Sequence, residues 1–200
     1  NIVFTGFQFG NYYRIDRANN KRDYISPVQK KGEKPFRYNW QTPILLSSHN
    51  QEILYMGSNF LHRSMNQGQT WTAISPDLTQ GAKEGNVAFG TIAAISESPL
   101  QFGLLYTGSD DGLVHVSKDG GATWNIISGN LPQNRWISRV VASAHKKERV
   151  YVTLNGYRND DFTTYVYMSD DFGQTWINIA TNLPTSPVNV LVEDNVNEDV

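Results

Sequence analysis

Cysteine is absent from the 200 residues, which excludes a disulfide framework and any thiolate-ligated metal centre. Net charge is nearly absent too. A formal value of -2 gives the chain no general pull towards nucleic acid or an anionic membrane. No apolar run approaches the ~20 residues that a membrane-spanning helix requires, so membrane insertion is not expected. No stretch sustains a helical period either, which leaves little room for helix. The four histidines, His49, His62, His115 and His145, share no metal-ligand spacing, so neither a metal nor a cofactor is expected. What the chain does have is aromatic residues, at 12% against 18% charged.

Those aromatics are ordered. The pattern Ser-x-Asp/Asn-x-Gly-x-Thr-Trp occurs three times, as Ser64-Met65-Asn66-Gln67-Gly68-Gln69-Thr70-Trp71, Ser117-Lys118-Asp119-Gly120-Gly121-Ala122-Thr123-Trp124 and Ser169-Asp170-Asp171-Phe172-Gly173-Gln174-Thr175-Trp176. The copies recur about every 50 residues, the signature of a repeat architecture. Each has a physical sense as a hairpin turn. The Asp or Asn side chain accepts from backbone N–H groups further on. The glycine two residues later takes a positive φ without a Cβ clash. The tryptophan opens the next strand and offers a large ring to a neighbouring unit, where burial between repeats is expected.

Short β-branched and aromatic runs surround each turn. Pro43-Ile44-Leu45-Leu46-Ser47, Thr91-Ile92-Ala93-Ala94-Ile95 and Ile137-Ser138-Arg139-Val140-Val141 precede Ile53-Leu54-Tyr55-Met56-Gly57, Leu104-Leu105-Tyr106-Thr107-Gly108 and Val150-Tyr151-Val152-Thr153. A third run enters each turn and a fourth leaves it. Bounded by Gly, Pro, Asn and Ser, these are strands, and four per repeat make one blade of an all-β propeller. The expected division is a partial blade at 1–42, whole blades at 43–89, 90–135 and 136–186, and the first strand of a next blade at 187–200. Such an incomplete count reads as part of a propeller, with the rest of the same chain as its first partner. A closed four-bladed ring, in which the last strand completes the first blade, stays open.

The triple turn resembles the Asp-box of BNR-repeat β-propellers, the group that holds sialidases, xyloglucan-cleaving hydrolases and sortilin-like receptors. In that group the boxes are structural turns away from the ligand site, which casts Ser64, Asn66, Gly68, Trp71, Ser117, Asp119, Gly121, Trp124, Ser169, Asp171, Gly173 and Trp176 as scaffold. Phe36-Arg37-Tyr38-Asn39-Trp40, Trp71-Thr72-Ala73-Ile74-Ser75-Pro76-Asp77-Leu78, Trp136-Ile137-Ser138-Arg139-Val140, Gly156-Tyr157-Arg158-Asn159-Asp160-Asp161 and Asn182-Leu183-Pro184 together resemble large bacterial sortilin-like BNR proteins, often labelled glycosyl hydrolases. That resemblance implies an exported bacterial protein, periplasmic, surface-held or secreted.

Strand parity puts the boxes on one face, and the blade links and second-to-third turns on the other. Links and inserted loops on a rigid scaffold are where function concentrates. This selects Arg37, Trp40, Arg135, Trp136, Arg139, Arg158, Asn159, Asp160 and Asp161 as a binding surface for a peptide, glycan or partner protein. Arginines would pair carboxylates and tryptophans would stack. Arginine stacked on tryptophan between blades is the plainer reading of Arg37 and Arg135, and Asp110-Asp111-Gly112 reads as a turn. A glycoside hydrolase of sialidase-like or xyloglucanase-like type is the alternative. It needs two carboxylates about 5–10 Å apart across a cleft. Asp160 or Asp161 could supply one and Glu97 or Asp77 is a weak candidate for the other, but nothing in the sequence places two of them together.

Overall fold

The computed structural model describes residues 1–198 and is all-β, apart from one 3-10 turn at Tyr157–Asn159. The last two positions of the expected strand at 187–200 lie outside the described residues. Three four-stranded antiparallel sheets follow one another in the chain: β4 (Ile44–Leu46), β5 (Leu54–Gly57), β6 (Leu61–Ser64) and β7 (Thr72–Ala73); β8 (Ile92–Glu97), β9 (Leu105–Ser109), β10 (Val114–Ser117) and β11 (Asn125–Ile126); β12 (Trp136–Ala142), β13 (Val150–Gly156), β14 (Asp161–Ser169) and β15 (Ile177–Asn178). A three-stranded sheet of β1 (Ile2–Phe7), β2 (Asn11–Asp16) and β3 (Lys21–Tyr24) precedes them. These are propeller blades, paired strand to next strand throughout. Among the described residues no strand pairs with the open edge of β1, so the closed four-bladed ring does not form. The segment 188–192 lies instead against the third blade, where Ser138 Oγ donates to the Val188 carbonyl at 2.6 Å.

All three octapeptide turns close in the same way. The serine Oγ donates to the Asp or Asn carboxamide or carboxylate and accepts from the glycine N–H, at 2.8 Å in each copy. The same Asp or Asn accepts from the threonine N–H at 2.9 Å. Threonine hydroxyls also donate to Asp119 and Asp171, which holds both carboxyls down at about 2. Asn66 reverses that bond, its amide donating to Thr70 Oγ1 at 2.9 Å, and the turn survives.

The turns also join the blades. Trp71, Trp124 and Trp176 donate Nε1–H to the carbonyls of Ile25, Ile74 and Ile127, each at the outer edge of the preceding blade. The rings are half-buried rather than buried. The outer strands that Trp124 and Trp176 meet are only two residues long and cover them only in part. Deeper in, aliphatic and aromatic residues of consecutive blades interlock. Tyr55, Leu61, Ile92 and Leu105 share one cluster, and Tyr106, Val114, Ile137 and Val152 share another.

A second repeated joint was not legible in the sequence. Glu97, at the end of β8, is buried and accepts from Ser47 Oγ at 2.6 Å and Tyr55 OH at 2.8 Å in the preceding blade. Glu193 repeats this with Ser143 at 2.7 Å and Tyr151 at 3.1 Å. In the middle joint the equivalent position is Ala142, and the Tyr106 hydroxyl is buried without a partner among the described residues. Burying an unpaired hydroxyl costs stability, whereas a hydroxyl bound to a carboxylate contributes it. Tyr106→Phe is therefore expected to be neutral or stabilising, by up to about 1 kcal/mol, and Tyr55→Phe to cost about 1–3 kcal/mol. Urea midpoints of the two variants decide it; equal losses would show that the joint contributes nothing.

Candidate functional site

Two adjoining hollows open where blade links meet second-to-third turns. One has a volume of about 430 Å³ and the other about 310 Å³, and they share Asn39, Trp136, Asn155 and Arg158. Their geometry grows from the ends of strands. Trp136 begins β12 and sits opposite Asn155 of β13 in the register. Asn155 is buried and holds the 3-10 turn in place by accepting from Tyr157 N at 3.0 Å. Asp160 ends that turn in the left-handed region, with φ of 54°, and its N–H returns to the Tyr157 carbonyl at 3.2 Å. The turn lays the Arg158 guanidinium over the Trp136 ring, 4.2 Å from its centroid, and 4.6 Å from that of Tyr157. Stacking of this kind holds a cation flat while its N–H groups stay available.

Trp40 also lines the larger hollow. It is 54% exposed and braced edge-to-face by Phe9, with centroids 5.2 Å apart. Beneath it Asn39 is buried, its amide donating to Thr91 Oγ1 at 2.8 Å. Lys83 lies over the Phe89 ring at 4.1 Å, and both line this hollow.

Asp110 and Asp111 complete the larger hollow. Sequence reasoning placed them in a simple turn; they are indeed between β9 and β10, but both are buried. Asp110 accepts from Thr91 N at 2.8 Å and Thr91 Oγ1 at 2.6 Å. Asp111 accepts from Ser109 Oγ at 2.5 Å and Gln80 N at 2.7 Å. Burial pushes the Asp110 carboxyl up, against the bonds from Thr91, with the neighbouring Asp111 adding to the rise. The only sequence signal for this pair was two adjacent carboxylates before Gly112, a pattern that any surface turn also shows.

The structure divides the residues selected from sequence. Trp40, Trp136, Arg139, Arg158 and Asn159 line the two hollows. Arg37 does not: its Nη2 pairs with Asp77 Oδ2 at 2.8 Å and its Nε donates to the Gly90 carbonyl at 3.0 Å, so it ties two links together. It borders instead a separate hollow beside Phe36 and His62. Arg135 pairs with Asp161, Nε to Oδ2 at 2.7 Å, and the same carboxylate accepts from Tyr165 OH at 2.8 Å and Thr163 N at 3.0 Å. These donors, Arg135 foremost, hold the Asp161 carboxyl well below the usual carboxylate range. It cannot carry a proton at neutral pH, which removes it as a general acid. Asp160 lines neither hollow, because its backbone is spent on closing the turn.

No family model matches this chain, and no curated protein matches it. Among solved structures, the GH74 xyloglucanase from Xanthomonas campestris superposes with a TM-score of 0.65 at 16% identity, over 92% of this chain and 29% of that one. The computationally designed Ika8 protein superposes with a TM-score of 0.52 at 14% identity, over 96% of this chain and 49% of that one. The chain thus spans less than half the length of either, and at these identities the likeness is one of fold.

Proposed function

We propose that this chain is part of a sortilin-like, BNR-type propeller of an exported bacterial protein, and that it binds an extended oligosaccharide without cleaving it. The observation that carries this reading is the contrast within one cleft. Two tryptophans line it, one of them topped by a guanidinium, while each carboxylate that lines the cleft is already bonded by the scaffold. Aromatic faces flanked by amides suit sugar rings, which present one apolar and several hydroxylated edges. A retaining or inverting glycosidase would need a free pair of carboxylates, one of them protonated.

The competing hydrolase reading has one point in its favour: Asp110, with its raised carboxyl, lines the larger hollow beside Asp111. One set of assays separates the two. Wild type and Trp136→Ala are titrated with neutral and acidic oligosaccharides, xyloglucan fragments included, and products are followed by chromatography. Binding weakened at least ten-fold in Trp136→Ala with no hydrolysis by either protein supports the proposal. Hydrolysis by wild type that Asp110→Asn abolishes would replace it with the enzyme.

A further inference from the structure

Of the nine arginines, Arg14, Arg37, Arg135 and Arg149 each meet an aspartate, at 3.8, 2.8, 2.7 and 2.6 Å. Arg17, Arg22, Arg63, Arg139 and Arg158 pair with no acid among the described residues, and of these five Arg139 and Arg158 line the two hollows. Arg139 donates only to the neighbouring Ser138 carbonyl at 3.1 Å, and Arg158 has only the two aromatic rings beneath it. Both are exposed, and both line the smaller hollow, whose walls contain no aspartate or glutamate among the described residues. Two of the amides around them are engaged with the scaffold: Asn155 Nδ2 donates to Asn189 Oδ1 at 2.6 Å and Asn39 Nδ2 to Thr91 Oγ1 at 2.8 Å. The smaller hollow therefore carries two guanidinium groups and no acid, whereas the larger, which shares Arg158, holds Lys83 beside the two sealed aspartates.

We infer that the smaller hollow is a carboxylate subsite, and that the ligand is an acidic oligosaccharide with a uronate residue beside a neutral one. This rests on the oligosaccharide reading above. A stacked guanidinium with its N–H fork free is built for a planar carboxylate, which it grips in two parallel bonds. A second guanidinium lining the same hollow reinforces the field, and no acid among the described residues there opposes it. In the larger hollow Lys83 offsets Asp110 and Asp111 only in part once Arg158 is engaged in the smaller one, so an uncharged ring suits the place beside Trp40. A polyuronate, charged on every ring, fits less well than a chain in which uronate and neutral sugar adjoin.

The test uses three acidic oligosaccharides, namely aldotriouronic acid (a glucuronosyl xylobiose), a hyaluronan tetrasaccharide and trigalacturonate. Each is paired with its methyl ester, and a glutamate-rich peptide is added. Affinities are measured by calorimetry on the whole chain. One of the two mixed acid–neutral sugars is expected to bind at least ten-fold tighter than its ester at low salt, with the margin narrowing at high salt. Arg158→Ala should erase that margin while leaving the ester's affinity within two-fold of wild type. Arg158→Lys should keep part of it, and Arg139→Gln should reduce it. Trp136→Ala should weaken acid and ester alike. Equal binding of acid and ester would overturn the carboxylate subsite and leave the oligosaccharide reading standing. No binding of any sugar would remove both. Tighter binding of the peptide than of any sugar would assign the subsite to an acidic peptide instead.

Discussion

Lowering the pH from 7 to 4 is expected to destabilise this chain by roughly 6 kcal/mol, about 3 kcal/mol from each of two buried histidines. His62 and His115 occupy the same place in consecutive repeats, two residues before the turn serine, and both are buried. Burial pulls each imidazole from its ordinary 6.5 to about 4. His62 is bonded through Nε2 to Ser58 Oγ at 2.8 Å and faces the Phe36 ring 4.7 Å away. His115 Nδ1 has no hydrogen-bond partner among the described residues. Neither site offers an anion to a proton.

The sign follows from where the protons go. Below 6.5 the unfolded chain binds them and the folded chain does not. Stability is therefore whole above pH 6.5, falls as the pH drops, and stops falling near pH 4, where the folded imidazoles titrate too. Asp110 works in the opposite direction, since its raised carboxyl takes up a proton in the folded state first, and it softens the slope. The depressed carboxyls of Asp119 and Asp171 lie below this window, near 2. Urea unfolding at pH 7, 5.5 and 4 measures the slope. His62→Phe with His115→Tyr should flatten it; the third repeat already carries Tyr167 at this place. A double variant with the wild-type slope would assign the acid sensitivity to other groups.

The sequence made these turns readable because one octapeptide contains every partner the turn needs. Ser117, Asp119, Gly121 and Thr123 bond to one another within seven positions, so spacing alone carries the geometry. The strands were readable for a similar reason: pairing runs between neighbours in the chain. The Ser47–Glu97–Tyr55 joint was not, because its members come from two blades and no local pattern links them. The site was half legible. Trp40, Trp136, Arg139 and Arg158, selected from the sequence, line the two hollows. Link position could not tell which arginines had already found a carboxylate. Arg37 and Asp77 are distant in sequence, as are Arg135 and Asp161, and only the folded links bring each pair together. Asp110 and Asp111 failed the other way. Their burial depends on Gln80 and Thr91 arriving from other segments, while their own sequence is that of an exposed turn.

Gly121→Ala is expected to cost about 2–5 kcal/mol, from two separate causes. Gly121 has φ of 96°, a conformation that an L side chain enters at a cost of roughly 1–2 kcal/mol. A Cβ there would also stand 2.6 Å from the Ile74 carbonyl oxygen and 2.9 Å from the Ile74 Cβ, in the preceding blade. That oxygen is the acceptor for Trp124 Nε1 at 2.9 Å, so it cannot retreat without losing the bond that joins the blades. Overpacking against fixed atoms adds roughly 1–3 kcal/mol. The adjacent Gly120 separates the causes. It too has a positive φ, of 72°, but a Cβ there meets nothing nearer than Arg63 Nη1 at 3.6 Å, the end of a flexible side chain. Gly120→Ala should therefore show the backbone cost alone. Urea midpoints give the two losses, and tryptophan emission reports whether Trp124 has moved in the Gly121 variant. A Gly121→Ala loss no greater than that of Gly120→Ala, with unchanged emission, would mean that the blades are not in close contact at this turn. A larger loss with shifted emission is the expected result, because one glycine there serves both the hairpin and the seam between blades.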